Sequence, residues 1–236
     1  MGKLTHNVPK PLVKINGKSI LERQLSLFQN KSIECIVITG PFSDKFKFKN
    51  VKYVIDKKFK DHDQMGSLMC AKNEIVGDVI ILFADIIFEK SILDEILESK
   101  SDIQIAVDMN SEKTYSERTV NSFDEADKVG FENDKIMKIF KTKKEEYGKY
   151  QVGEFIGLMK LSENGSKQFV DCYDKISRDH KGKFHDAISL DYAKLVDFLQ
   201  ELLDNKIAIK GNKIEGKWCE IDTEQDLNIA KRIFSD

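Results

Sequence analysis

Asp78-Val-Ile-Ile-Leu-Phe-Ala-Asp-Ile-Ile-Phe88 decides the fold. Its apolar run, Val79 to Phe83, is too short for a buried helix and the right length for a strand covered on both faces. A small residue, Ala84, and an acid, Asp85, follow at once. In an open α/β sheet the ligand crevice lies outside the carboxyl ends of the strands, so an acid placed there points at substrate. A carboxylate in that position is a hard-oxygen ligand suited to Mg²⁺. The alternative is an Asp85 that only caps a turn, and this stretch alone leaves both open.

Working outward, Cys35-Ile-Val-Ile-Thr39, Val51-Lys-Tyr-Val-Ile55 and Ile103-Gln-Ile-Ala-Val107 read as strands of the same kind. Pro9-Lys10-Pro11-Leu-Val-Lys-Ile15 gives an extended start, because each proline disfavours the α region in its predecessor. Helical patterns lie between the strands. Ser19-Ile-Leu-Glu22 is a capping box opening a helix with Leu21, Leu25 and Phe28 on one face. Ser67 to Val76 forms a second helix, and Ser91 caps a third that carries Ile92, Leu93, Ile96 and Leu97. This alternation predicts an α/β, doubly wound, mostly parallel Rossmann-like sheet. The second half adds a small hairpin, Lys128-Val-Gly-Phe and Ile136-Met-Lys-Ile-Phe140 around the turn Glu132-Asn-Asp-Lys135. A strand over Gly153–Leu161, helices at about 166–178 and 190–204, and a late strand Trp218-Cys-Glu-Ile-Asp222 follow. Thr223 caps a final amphipathic helix, and the polar segment from Asn110 to Asp127 is expected to be a mobile loop.

The chain of 236 residues is long enough for one good core and carries no linker, so residues 1–236 are read as a single domain. Hydrophobic content of 41% against 33% charged residues excludes disordered and membrane classes. A net charge of −2 lacks the basic excess of a nucleic-acid binder. No apolar run approaches the length of a bilayer span, and the N-terminal residues lack a signal-peptide core. Cys35, Cys70, Cys172 and Cys219 are scattered, as are the histidines, without zinc-like spacing. These features predict a cytoplasmic protein without structural metal.

Several motifs then fall into register. Leu4-Thr-x3-Pro9-Lys10-Pro11-Leu-Val-x-Ile-x-Gly17-Lys-x-Ile-Leu-Glu22 resembles the opening of the sugar-phosphate and cytidylyl nucleotidyltransferases. So do Ala84-Asp85-x-x-Phe88, the strand Gly153-Glu-Phe-Ile-Gly157, the helix Asp197-Phe-Leu-Gln-Glu-Leu-Leu203 and Trp218-x-Glu-Ile-Asp-Thr223. The ending resembles the small enzymes that use CTP with phosphocholine or 2-aminoethylphosphonate more than it does the long sugar enzymes. The resemblance implies a nucleotide-diphospho-sugar-transferase-like fold, with a nucleotide-binding half at 1–109 and an acceptor-binding half at 110–236. It implies transfer from an NTP, expected to be CTP, to a small phosphate- or phosphonate-bearing acceptor with release of pyrophosphate, and leaves a homodimer open. Asp85 and Asp222 become the Mg²⁺ pair, within roughly 4–6 Å of one another. Lys10 becomes the lysine on the nucleotide phosphates, and Lys141 the one on the acceptor's phosphate. Asp63, Gln64 and Ser67 occupy the region where relatives recognise base or acceptor. Glu154, Trp218, Tyr192 and Asp63 are acids and aromatics suited to an amine-bearing acceptor, although Trp218 and Glu220 also read as packing or capping residues.

Two departures from the family pattern qualify this. Relatives carry a first strand and a Gly-rich, arginine-bearing loop ahead of the segment matching Leu4-Thr5, and Met1 stands where that loop should end. The expectation is a vacant slot between the strands near 36–39 and 79–83, from a start assigned at an internal Met or from a degenerate relative. Ala84 also replaces the glycine that precedes the metal-binding acid, which is tolerable only at negative φ. A sugar-1-phosphate nucleotidylyltransferase and a non-catalytic relative lacking the loop are the alternatives.

Overall fold

The computed structural model describes residues 5–29, 31–115, 118–119, 123–141 and 147–235. Leu4 of the N-terminal motif lies outside them. A 3-10 turn over Lys10–Leu12 leads into a small ribbon, β1 (Lys14–Ile15) and β2 (Lys18–Ser19), and then α1 (Ile20–Leu27). Pro9 is extended, but the residues after it turn, so the extended start expected from the two prolines is corrected. Next come β3 (Cys35–Thr39), β4 (Val51–Ile55), α2 (Gln64–Met69), β5 (Val79–Leu82) and β6 (Ile86–Phe88). They are followed by α3 (Lys90–Glu98), β7 (Ile103–Asp108) and α4 (Ser111–Tyr115). The second half runs through β8 (Lys128–Glu132), β9 (Lys135–Phe140), β10 (Gln151–Leu161), α5 (Glu163–Asp179) and α6 (Leu195–Asp204). β11 (Lys210–Lys213), β12 (Trp218–Glu220) and α7 (Glu224–Ile233) complete it.

β10 is the spine. It pairs antiparallel with β5, β7 and β8, while β11 joins β7 in parallel and β9 closes the hairpin with β8. β5, β7, β8 and β11 therefore share one direction, and the α/β class stands with a mixed, curled central sheet. The curl has a local cause at Gly157, where the β7 register shifts between Phe155 and Met159. Gly157 has φ +81°, and a Cβ there would lie 2.4 Å from the Phe83 ring. Glycine adopts this conformation without the strain a side chain brings. Odd and even residues of β10 serve opposite layers. Phe155, Met159 and Leu161 pack with Phe169 and Phe198 of α5 and α6, whereas Ile156 and Leu158 meet Ile92, Leu93 and Ile96 of α3. A third cluster joins Ile15, Ile20, Ile87, Ile221 and Leu227 beneath α1 and α7.

The strands expected to flank a slot are not paired with each other among the described residues. β3 pairs with β4 and β5 pairs with β10, but β3 and β5 do not pair with each other. The run Val79–Leu82 is half-buried rather than covered on both faces. Other boundaries move. α2 starts at Gln64 and not Ser67, because Asp63 takes the N-cap. α3 starts at Lys90 behind Glu89, so Ser91 is inside the helix and not its cap. The expected 190–204 helix divides into a 3-10 turn at Leu190–Tyr192 and α6. Within 110–127, α4 and a 3-10 turn at Phe123–Glu125 stand where a loop was expected, and residues 116–117 and 120–122 lie outside the described residues. No helix among the described residues is long and apolar enough to cross a membrane.

Candidate active site

The deciding stretch turns at Asp85, and two contacts hold that turn. Gln24, buried on α1, donates its side-chain amide to the carbonyls of Phe83 and Ile86, 2.8 Å each, bracketing Asp85. On the other side β12 pairs antiparallel with β6, Glu220 opposite Ile86, and the Ile221 N–H donates to the Asp85 carbonyl at 2.9 Å. Asp222 follows at the mouth of α7. Its N–H and that of Thr223 donate to the Asp226 carboxylate, at 3.1 and 2.8 Å, within the capping box that starts the helix. Arg118 faces the same carboxylate from the far side at 3.1 Å.

Asp85, Glu220 and Asp222 are thereby brought together, each offering an oxygen within 4.8 Å of the others. The expected spacing of the two aspartates is met, and Glu220 is a third acid beside them. Lys10 reaches in from its proline-flanked turn and pairs with Asp85 at 2.8 Å and with Asp222. Burial pulls its ammonium down, but the two aspartates outweigh this and hold its pKa above the ordinary lysine value. Glu220 is pushed up to about 8, first by burial and then by the charges of Asp222 and Asp85. One oxygen of Asp85 is buried without a hydrogen-bond partner. Ala84 is not among the residues with positive φ, so its methyl group is tolerated.

These acids line a cavity of about 250 Å³ together with Gln64, Asp127, Lys141 and Lys194. Lys141 stands 3.7 Å from Asp127, whose carboxyl burial pushes up against the pull of Lys141 and Lys194. Gln64 lines the cavity and accepts a hydrogen bond from the Leu195 N–H at 3.0 Å, tying α2 to α6. Trp218 and Glu154 also line it, but both are buried and engaged. The Trp218 indole donates to Asp108 at 2.8 Å, and Glu154 accepts from the Tyr115 hydroxyl at 2.7 Å. Burial pushes Glu154 up to about 8, which removes it as a ready partner for an acceptor amine. Asp63 and Ser67 are not brought to the cavity. Asp63 caps α2, and the Ser67 hydroxyl donates to Asp56 at 2.8 Å. Tyr192 lines a neighbouring cavity instead.

Glu220, Gln24, Lys194, Asp127 and Tyr115 are the residues that the sequence reading did not place in the site. Glu220 carried a signal, since residues 218, 220 and 222 of an extended segment share a face. Lys194 and Gln24 carried none.

Comparison with known proteins shows the family. Residues 1–137 match the MobA-like NTP transferase domain. The CTP:phosphoglutamine cytidylyltransferase of Campylobacter jejuni is 27% identical over 238 residues, covering 96% of this chain and 92% of that protein. Among solved structures, the CTP:phosphocholine cytidylyltransferase of Streptococcus pneumoniae superposes with a TM-score of 0.70 at 18% identity, covering 100% of this chain and 93% of that one. The inositol-1-phosphate CTP transferase of T. maritima also gives 0.70, at 16% identity, with 98% and 90% covered.

Proposed function

The chain belongs to the MobA-like NTP transferase family, and from that premise we propose that it transfers the cytidylyl group of CTP, with Mg²⁺, to a small phosphate- or phosphonate-bearing acceptor. Nucleotidyl transfer is the activity of the family, and CTP is the nucleotide named in the relatives above. An acceptor oxygen attacks the α-phosphorus, the P–O bond to the β-phosphate breaks, and pyrophosphate leaves. Little covalent work falls to the protein, which has to hold two anions in line and balance the charge that develops.

The observation that carries this reading is the cluster of Asp85, Asp222 and Glu220 around Lys10, in one cavity with Lys141 and Lys194. The carboxylates of Asp85 and Asp222 with the Lys10 ammonium between them, the Glu220 carboxyl beside them, and an orphaned buried oxygen on Asp85 fit a hard divalent cation. Such an ion, held by Asp85 and Asp222, supplies charge neutralisation at the phosphate oxygens. Lys10 gives the nucleotide phosphates a positive partner on a turn stiffened by Pro9 and Pro11. Lys141 and Lys194, in the same cavity, orient the acceptor's phosphate. Four unpaired cysteines support a reducing, cytoplasmic setting.

The test is pyrophosphate release over a panel of NTPs and acceptors, with and without EDTA. Turnover that requires CTP, a phosphorylated acceptor and a divalent cation supports the reading. Preference for UTP or dTTP with a sugar 1-phosphate refutes it.

A further inference from the structure

Away from the acid cluster, a second group of metal-ligating side chains gathers where β4 leads into α2. Asp56 follows β4, and its N–H donates to the Thr39 carbonyl at 2.7 Å, extending the pairing of β3 with β4. The residue is 2% exposed and its carboxylate is held on both oxygens. Oδ1 accepts from the Lys58 N–H at 2.9 Å, while Oδ2 accepts from the Ser67 hydroxyl at 2.8 Å and meets His62 Nε2 at 2.7 Å. Cys70, which ends α2, completes the group. Its Sγ, an Asp56 oxygen and a His62 ring nitrogen all lie within 4.8 Å of one another.

The Ser67 hydroxyl donates to Asp56 and not to His62, so this is not a nucleophile with its base. A hydrogen-bonded Asp–His–Ser group also needs no thiol, yet Cys70 stands at its exposed side, unoxidised. The backbone is shaped for the imidazole. A Cβ at Gly66 would lie 2.4 Å from His62 Cγ, so only a glycine leaves the room that the ring occupies against α2.

Thiolate sulfur, imidazole nitrogen and carboxylate oxygen together are donors for Zn²⁺, whereas Mg²⁺ takes oxygen alone. In a tetrahedral zinc site neighbouring donors stand roughly 3.3–3.6 Å apart, from bonds of ~2.0 Å to oxygen or nitrogen and ~2.3 Å to sulfur. The Asp56–His62 pair therefore opens by about half an ångström when the ion replaces the shared proton. Cys70, already within 4.8 Å of both, has at most roughly 1.2 Å to move. Lys58 and Ser67 stay on the carboxylate as the outer donors that orient a metal-binding oxygen.

We propose that Asp56, His62 and Cys70 bind one Zn²⁺, with the fourth position open to solvent on the Cys70 side. Positions 56, 62 and 70 lack the short paired spacings on which the expectation of no structural metal rested. The ion ties the end of β4 to α2. That helix is joined in turn to the segment before α6, by the Met65 N–H on the Ala193 carbonyl at 3.0 Å and by Gln64 on the Leu195 N–H. Gln64 lines the cavity of the proposed transferase site and none of the three zinc ligands does, so the metal steadies that cavity from outside it.

Co²⁺ is the probe, since it takes zinc's ligands and reports them in its absorption spectrum. It is titrated into the reduced full chain with Mg²⁺ in excess, which occupies carboxylate-only sites. One equivalent is expected to give the near-ultraviolet charge-transfer band of a thiolate-bound ion and the strong visible bands of a tetrahedral one, and Zn²⁺ to abolish both. Cys70→Ser, at an exposed position, loses the charge-transfer band, while Cys35→Ser keeps it. His62→Gln weakens Co²⁺ binding tenfold or more, and Ser67→Ala, which removes only an outer donor, weakens it roughly tenfold with the band retained. Zn²⁺ raises the melting temperature of the wild type and leaves that of Cys70→Ser unchanged. The proposal is overturned by a wild type without the band, by a band that survives Cys70→Ser, or by undiminished binding in His62→Gln. Equal stabilisation of wild type and Cys70→Ser by Zn²⁺ overturns it as well. No readout here involves pyrophosphate release, so this proposal and the transferase reading fail separately.

Discussion

Replacing Glu154 by Gln should make the protein's stability less sensitive to rising pH. Glu154 sits on β10 opposite Asp108 and Lys128, 3% exposed, with one oxygen accepting from Tyr115 and the other unpartnered. Burial pushes its carboxyl up to about 8. The Tyr115 hydrogen bond opposes this, the charge on Glu220 adds to it, Arg118 opposes it and Asp108 adds to it. In the unfolded chain the group titrates at its ordinary value of 4.5. Below that pH both states hold the proton and Glu154 contributes nothing. Between 4.5 and about 8 the native state is protonated and the unfolded state ionised, so stability falls by about 1.4 kcal/mol per pH unit. By pH 8 the loss reaches ~5 kcal/mol, and above it no more is lost. Glutamine keeps the acceptor oxygen for Tyr115 but cannot ionise. Its amide leaves a buried donor to satisfy, at a pH-independent cost of ~1–3 kcal/mol. The prediction is therefore a slope and not an offset. Urea unfolding at pH 5, 6, 7 and 8 should show the stability of Glu154→Gln rising against wild type by ~1 kcal/mol or more per pH unit from about 5.5 to 7.5. Glu220 titrates in both proteins, so most of its own slope cancels in the difference. A difference that stays flat across the series refutes a carboxyl driven up by burial.

Three further outcomes follow from the site and the sheet. If Asp85 and Asp222 hold Mg²⁺ as proposed, millimolar Mg²⁺ should stabilise the wild type in thermal melts, and Asp222→Asn should abolish that stabilisation and lower pyrophosphate release by roughly a hundredfold or more, since one charged ligand would be lost. An unchanged Mg²⁺ response would show that the ion is held elsewhere. Gln24→Leu should destabilise by ~2–3 kcal/mol, because the carbonyls of Phe83 and Ile86 lose a shared buried donor. It should also weaken the Mg²⁺ response by loosening the Asp85 turn, and a melt shifted with that response intact would limit Gln24 to stability. Gly157→Ala should cost ~2–4 kcal/mol from positive φ and the contact with Phe83, whereas a neutral result in urea unfolding would show that the bulge relaxes freely.

Local chemistry made much of this fold legible. Ser19 and Glu22 satisfy each other's backbone N–H groups at the start of α1, and Thr223 and Asp226 do the same for α7. The β8–β9 turn has Asn133 and Asp134 at φ +50° and +62°, the tight mirror-image geometry these residues tolerate best. Elements fixed from outside were not legible. β11 is Lys-Gly-Asn-Lys, with no apolar or β-branched residue, and it is a strand because it pairs in parallel with β7 at the sheet edge. Its Gly211 lies where a Cβ would come within 2.5 Å of the Phe131 ring. That constraint belongs to a residue eighty positions away, and no window around 211 contains it.

The site divides along the same line. Asp85 and Asp222 follow strands, so the rule that ligands gather at strand ends singles them out, and the structure brings the two together. Their partner Glu220 was also within reach: residues 218, 220 and 222 alternate with Cys219 and Ile221, and both of those are buried in the layer behind. An acid alternating in step with a candidate metal ligand belongs on the ligand's side of the strand, and the 4.8 Å cluster places it there. Glu154 shows the opposite case. It also lies on a strand that borders the cavity, and burial pushes it up to about 8 as it does Glu220, yet it faces the Tyr115 hydroxyl, thirty-nine residues earlier. Residue type and position give the two glutamates the same description. Their different partners separate them: Glu220 lies against the two charged aspartates, Asp85 and Asp222, and Glu154 against the Tyr115 hydroxyl.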